Sequence, residues 1–222
     1  MTAFLAIISR DVALGFRAGG GALLAAMFFA LMILMFALAV GPDKALLSVV
    51  AAPILWAAAL LAALVSFDRI FQADYEDGTL DTLVETADML EMRVLAKALA
   101  HWIATCLPLI VLTPLLALML NLPGGGFGPL IVSLLIGTPA LSLIGALTAA
   151  LTVTLRRANI LVTVLAAPLF TPILIFGVAA AKTTTFADAA FTPAILLLSA
   201  SALFSLIVAP LGGAAAIRAN LD

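Results

Sequence analysis

Six long apolar runs, roughly 20–40, 45–67, 98–121, 129–155, 159–181 and 194–217, contain no Asp, Glu, Lys or Arg. A bilayer core is crossed by ~20 apolar residues in helical form, and every run is long enough. A helix that is apolar on all sides must face lipid or a protein interior, and 222 residues cannot shield six such helices from water. Charged residues make up only 10% of the chain, against about a quarter in soluble domains. The expectation is an all-α membrane protein forming one polytopic domain over residues 1–222.

The distribution of basic residues orients it. With the N-terminus in the cytoplasm, the inner segments hold Arg10, Arg17, Arg69, Arg93, Lys97, Arg156, Arg157 and Arg218, whereas the outer loops hold only Lys44 and Lys182. Cationic residues concentrate on the cytoplasmic side, so both termini are expected there, in a multi-pass arrangement. Residues 1–18 precede the first run. Within them Leu5, Ile8 and Val12 recur at helical spacing beside Ser9, Arg10, Asp11 and Arg17, the pattern of a helix lying in the headgroup plane. The patch Phe4–Ile8 has no basic residue before it and is too short for a signal-peptide core.

Gly41-Pro42-Asp43 and Asn121-Leu122-Pro123 with Gly124–Gly126 read as tight outer turns. Arg156–Asn159 reads as a short inner turn. The longer outer loop, 182–193, has room for a short re-entrant or surface helix. Prolines fall within the spans at Pro53, Pro108, Pro114, Pro139, Pro168, Pro172 and Pro210, where each removes a backbone donor and favours a kink. In the fourth span, Gly145 and Ala149, and likewise Ser142, Ala146 and Ala150, have the small-xxx-small spacing that lets helix backbones approach closely. That span is the candidate for packing, within the subunit or against a second copy.

Residues 68–97 form the one sizeable polar segment, expected on the cytoplasmic side. It carries Asp68, Asp74, Glu76, Asp77, Asp81, Glu85, Asp88 and Glu91, eight of the twelve acids. Asp77-Gly78-Thr79 is a helix start. Leu80, Leu83, Val84 and Ala87 then recur at helical spacing, predicting a short amphipathic helix over 78–86. Its apolar side folds onto its own spans or docks in a partner's groove.

Several chemistries are excluded. The lysines are Lys44, Lys97 and Lys182, none following a glycine, so no phosphate-cradling G-x-x-x-x-G-K-[ST] loop exists. No carboxylate lies mid-span, where proton-coupled transporters place them; a sodium site of carbonyls and hydroxyls stays open. A lone Cys106 excludes an internal disulfide or a multi-cysteine metal site and reads as a small buried hydrophobe. The sole histidine, His101, beside Trp102, reads as an interfacial pair rather than a haem or metal ligand, and Trp56 as a helix–helix contact. A net charge of −2 with no basic stripe gives no reason to expect nucleic acid.

The segment Phe71, Asp74, Asp77, Gly78, Thr79 and Leu80, in FQADYEDGTL, resembles the signature loop of the CcmB family. So do Leu95–Lys97, Leu99–Trp102, Leu107–Leu109, the stretch Gly137-Thr138-Pro139-Ala140-Leu141-Ser142-Leu143-Ile144-Gly145, Pro168–Gly177, and the ending Ala209-Pro210 with Ala214–Arg218. The resemblance runs in register from about residue 4 to 218. Where the family often carries a Ser-Pro pair after the signature helix, this chain has Glu85-Thr86-Ala87-Asp88.

The resemblance implies an ABC-2-type exporter-like fold: an interfacial helix, six spans and a coupling loop over 68–97. It implies that Phe71, Asp74, Asp77, Gly78, Thr79, Leu80 and Leu83 receive a separate ATPase, the A subunit. It also implies pairing with a second copy, with Gly137, Pro139, Ser142, Gly145 and Ala149 as packing or dimer candidates, plus C and D membrane subunits and a periplasmic haem chaperone. The setting would be the bacterial inner membrane. Haem would enter as a substrate of the complex, with no cofactor held by this chain and ATP hydrolysis confined to the partner. Two other readings stand beside the permease: a scaffold passing ATPase motion on to release a haem chaperone, and an autonomous secondary transporter.

Overall fold

The computed structural model describes residues 2–17, 21–79, 90–155 and 158–221. Among them it is all helix and turn. The elements are α1 (Thr2–Phe16), α2 (Gly21–Val40), α3 (Lys44–Phe67), α4 (Arg69–Glu76), α5 (Leu90–His101), a π-helical turn (Trp102–Cys106), α6 (Leu107–Met119), α7 (Phe127–Thr152), α8 (Ala158–Ala181) and α9 (Phe191–Leu221). Six helical stretches are long and apolar enough to cross a membrane: Gly21–Val40, Lys44–Glu76, Leu90–Met119, Gly124–Thr152, Leu161–Ala181 and Phe191–Asn220. The chain is a membrane protein.

Turn chemistry fixes the hairpins. Gly41 closes α2 with a φ of +77°, a left-handed conformation that glycine adopts without a Cβ penalty. Asp43 Oδ1 then accepts from the Ala45 and Leu46 amides, both at 3.0 Å, capping α3. Asn121, at φ +53°, ends α6, and its amide donates to the Lys44 carbonyl at 3.2 Å, joining the two turns at one end of the bundle. The loop after α8 forms turns, with no helix from Lys182 to Ala190. Its backbone runs too close to Gly125 for a side chain there, since a Cβ would lie 2.2 Å from the Thr184 carbonyl oxygen.

The third span is bent in a way the prolines only half foretell. Pro108 offers no amide and crowds the carbonyl four residues before it. The chain answers with the π turn, in which the Leu107 amide reaches back to Trp102. This wider turn absorbs one residue without ending the helix. Gly15 of α1 lies directly on the turn, where a Cβ would come 2.9 Å from that of Ala104.

α7 is the middle of the bundle, packing against α3, α5, α6, α8 and α9. Its small residues make room for large ones from neighbours. The Trp56 indole, fully buried, fills the space left by Gly137 and Gly177, where a Cβ would come 2.4 Å from the ring in each case. Its Nε1 donates to Ser133 Oγ at 3.0 Å, so one side chain on α3 locks α7 and α8. Phe67 occupies the gap at Gly145 in the same manner, and Ala149 is buried. Pro139 is half-buried. The packing candidates Gly137, Ser142, Gly145 and Ala149 are thus covered within the subunit. α2 and α9 turn Leu23, Met27, Leu38, Leu203, Phe204 and Ile207 outward, the surface that lipid wets.

Candidate functional site

Charged side chains gather at the end of the bundle that carries α1, α4 and the start of α5. Asp74 of α4 and Lys97 of α5 are almost wholly buried, at 1% and 5% exposure. Lys97 Nζ pairs with Asp74, with Asp11 Oδ2 at 2.9 Å, and with the Ile70 carbonyl at 3.1 Å. Arg10 closes the circuit, pairing with Asp74 and, at 2.9 Å, with Asp11 Oδ1. Two cations and two carboxylates alternate around a neutral ring. A buried charge is tolerable only when paired and hydrogen-bonded, and here each acid touches both cations. Burial opposes the charge on Arg10, but Asp11 and Asp74 outweigh it and hold its guanidinium above the ordinary range. The Phe71 ring lies beneath Lys97, 5.5 Å from Nζ to its centroid, and is itself buried.

Two residues expected to meet a partner are covered within the chain itself. Phe71 and Asp74 face inward and bind α4 to α1 and α5. Their neighbours face out. Tyr75, Glu76, Asp77 and Gly78 are exposed at the tip of α4, and Thr79 is partly so. Gly78, at φ +72°, ends the helix. The Thr79 hydroxyl donates to Asp77 Oδ1 at 2.6 Å and its amide does so at 3.1 Å. Those two bonds, the hydroxyl's first, hold the Asp77 carboxyl below its usual range. Leu80, Leu83 and the amphipathic helix expected over 78–86 lie beyond the described residues, Gly78 and Thr79 apart.

A second polar cluster sits deeper. His101 is buried between three spans. Its Nε2 meets Ser66 Oγ of α3 at 2.9 Å, and its Nδ1 meets Ser142 Oγ of α7 at 3.0 Å. Ser66 Oγ also lies 3.0 Å from the Ala63 carbonyl, within donating distance. Cys106 Sγ lies 3.4 Å from Ser142 Oγ and completes the chain. Trp102 Nε1 donates to Thr138 Oγ1 at 2.9 Å. His101 pins α3, α5 and α7 together through contacts at both ring nitrogens. Replacing it with Phe keeps the stacking on Phe67, now 5.0 Å between ring centroids, but removes two interhelical bonds. Unfolding in mixed micelles should register a loss of about 1–2 kcal/mol.

Sequence reasoning missed the ionic ring, since its members come from three separate segments. The one signal was Lys97 itself, set among Ala96, Ala98 and Ala100 on a helix entering lipid, where a cation needs partners. Among the described residues no group of His, Cys, Asp and Glu could hold a metal ion.

A six-span helical body with an amphipathic helix laid along one end, and its charged groups gathered at that end, defines a polytopic integral membrane protein. Comparison narrows this to one family. The CcmB protein family model matches residues 2–220, and the chain belongs to that family. It is 47% identical to the heme exporter protein B of Bradyrhizobium diazoefficiens over 222 residues, the full length of both chains. Identity is 47% over 216 residues to that of Paracoccus denitrificans, covering 97% of this chain and 99% of the relative. It is 42% over 219 residues to that of Haemophilus influenzae, covering 99% of each.

Proposed function

We propose that this chain is the membrane subunit of an ATP-driven exporter complex that handles haem for cytochrome c maturation. It takes its energy from a separate ATPase, the A subunit, because its own sequence contains no phosphate-binding loop. In this reading it lies in the bacterial inner membrane with both termini in the cytoplasm. It pairs with a second copy, joins C and D membrane subunits, and serves a haem chaperone in the periplasm. Since Gly137, Ser142, Gly145 and Ala149 are covered within the chain, the contact between copies falls to other faces.

The observation that carries the proposal is the exposed acidic tip of α4 on a base that cannot slip. Glu76 and Asp77 stand in solvent, while Asp74, one turn earlier, is tied to α1 and α5. An ATPase surface with a basic rim would complement that tip. Its closure would push α4, and the ring would pass the push to α1 and the third span, in the manner of hinge and shear switching. The contact then rests on Asp77, Gly78 and Thr79 with Leu80 and Leu83 beyond them.

The double substitution Asp77→Lys with Leu80→Glu leaves the ring intact. It should abolish co-purification of the ATPase while membrane insertion stays normal. Undiminished co-purification would refute the docking role.

A further inference from the structure

The third span is two half-helices with different neighbours. Its inner half, α5, packs on α1, α4, α7 and α9, and its outer half, α6, on α2, α3 and α7. The ionic ring fastens α5 to α1 and α4 through Lys97. Between the halves, the π turn lies against α7. Trp102 reaches Thr138, and His101 and Cys106 both reach Ser142, one turn along the same helix face. α7 is itself locked to α3 and α8 by Trp56. The span thus joins a body held by charges to a body held by packing, and the π turn is the junction. Sharp bends in helices fall at prolines and π turns, and here the two coincide. Pro108 offers no amide, so the ladder is interrupted. Thr113, Thr138, Thr148 and Thr152 each donate to the carbonyl one turn back, whereas Thr105, inside the turn, makes no such bond to the His101 carbonyl.

There is also room for movement. A cavity of about 590 Å³ beneath α1 borders Ala100 and His101 of α5 and Ala104 and Thr105 of the turn. Toward α9, Val94 lies on the bare backbone of Gly213, where a Cβ would come 2.9 Å from its Cγ1. The Glu91–Arg218 pair on that side is partly exposed, so salt screens it. His101 is different. It is the last residue of α5, and its ring meets Ser66 of α3 at 2.9 Å and Ser142 of α7 at 3.0 Å. We infer that the π turn is a joint on which α5 tilts, carrying α1 and α4 with it, and that His101 is the catch that keeps the joint straight. The joint belongs to this chain alone and needs no partner.

The test is the distance between two spin labels on the purified full-length chain in nanodiscs, read by pulsed electron paramagnetic resonance. Cys106→Ala removes the native thiol, and Met92→Cys on α5 and Leu151→Cys on α7 carry the labels at exposed positions. With His101 in place the distance distribution should be single and narrow. His101→Phe should add a second population displaced by about 6 Å, the effect of a ~20° bend over the ~18 Å of helix between Ala104 and Met92. Pro108→Ala, added to His101→Phe, supplies the missing amide and should remove that population. Trp56→Phe weakens a different interhelical bond and should leave the distribution narrow. A single distribution in His101→Phe would overturn the catch. A displaced population that persists with Pro108→Ala would overturn the joint. The same displacement in Trp56→Phe would overturn both, because it would mark a general loosening of the bundle.

Discussion

Lys97→Met should destabilise the protein by about 3–5 kcal/mol, the cost of breaking a buried ion pair by removing one partner. Methionine fills the space of the lysine stem, so the loss isolates the charge. Asp74, 1% exposed, would keep only Arg10, and Asp11 would lose its buried partner. The Ile70 carbonyl would also lose a donor. Adding Asp74→Asn should recover a large part of the deficit, because it removes the carboxylate that the first change strands. Reversible unfolding in mixed micelles measures both, and the pair forms a double-mutant cycle. A loss below about 1 kcal/mol, the worth of a solvent-exposed pair, would mean that water reaches the ring. The same variant should loosen α4 from α5, and under the proposed docking of an ATPase on α4 its co-purification should weaken as stability falls.

Trp56→Ala should cost a similar amount, about 3–5 kcal/mol, by emptying the largest buried side chain of the core. Gly137 and Gly177 have no side chains to move into the space, and both lie against the indole. Trp56→Phe separates packing from hydrogen bonding. It keeps most of the ring and removes Nε1–H, whose acceptor Ser133 still donates to the Leu130 carbonyl at 2.8 Å. That change should cost only about 1 kcal/mol, near the value of one interhelical bond in a membrane protein. Equal losses from the two variants would show that the bond, not the filled volume, holds α3 to α7 and α8.

The spans were legible because lipid imposes a length and a composition on any helix that crosses it. The turns at Gly41–Asp43 and Asn121–Pro123 were legible too, since a left-handed residue and an acidic cap leave local signatures. What escaped was set at a distance. Pro108 announces a disturbance in the third span but not its form. A kink and a π turn both answer a missing amide, and nothing local to Pro108 distinguishes them. Asp74 and Phe71 sit in a polar loop motif and read as surface. Their burial comes from Arg10 and Lys97, 64 residues before and 23 after Asp74, which no local pattern links to them. The bonds of His101 to Ser66 and Ser142 left no local signal, because each partner is more than thirty residues away.

One indole wedged between two bare backbones has a mechanical corollary. Neither α7 nor α8 can slide along α3 without driving its own chain into the ring, so these three helices travel together as a single stiff plate. Any large rearrangement of this chain has to be taken up around the margins of that plate, where α1 and α2 meet it.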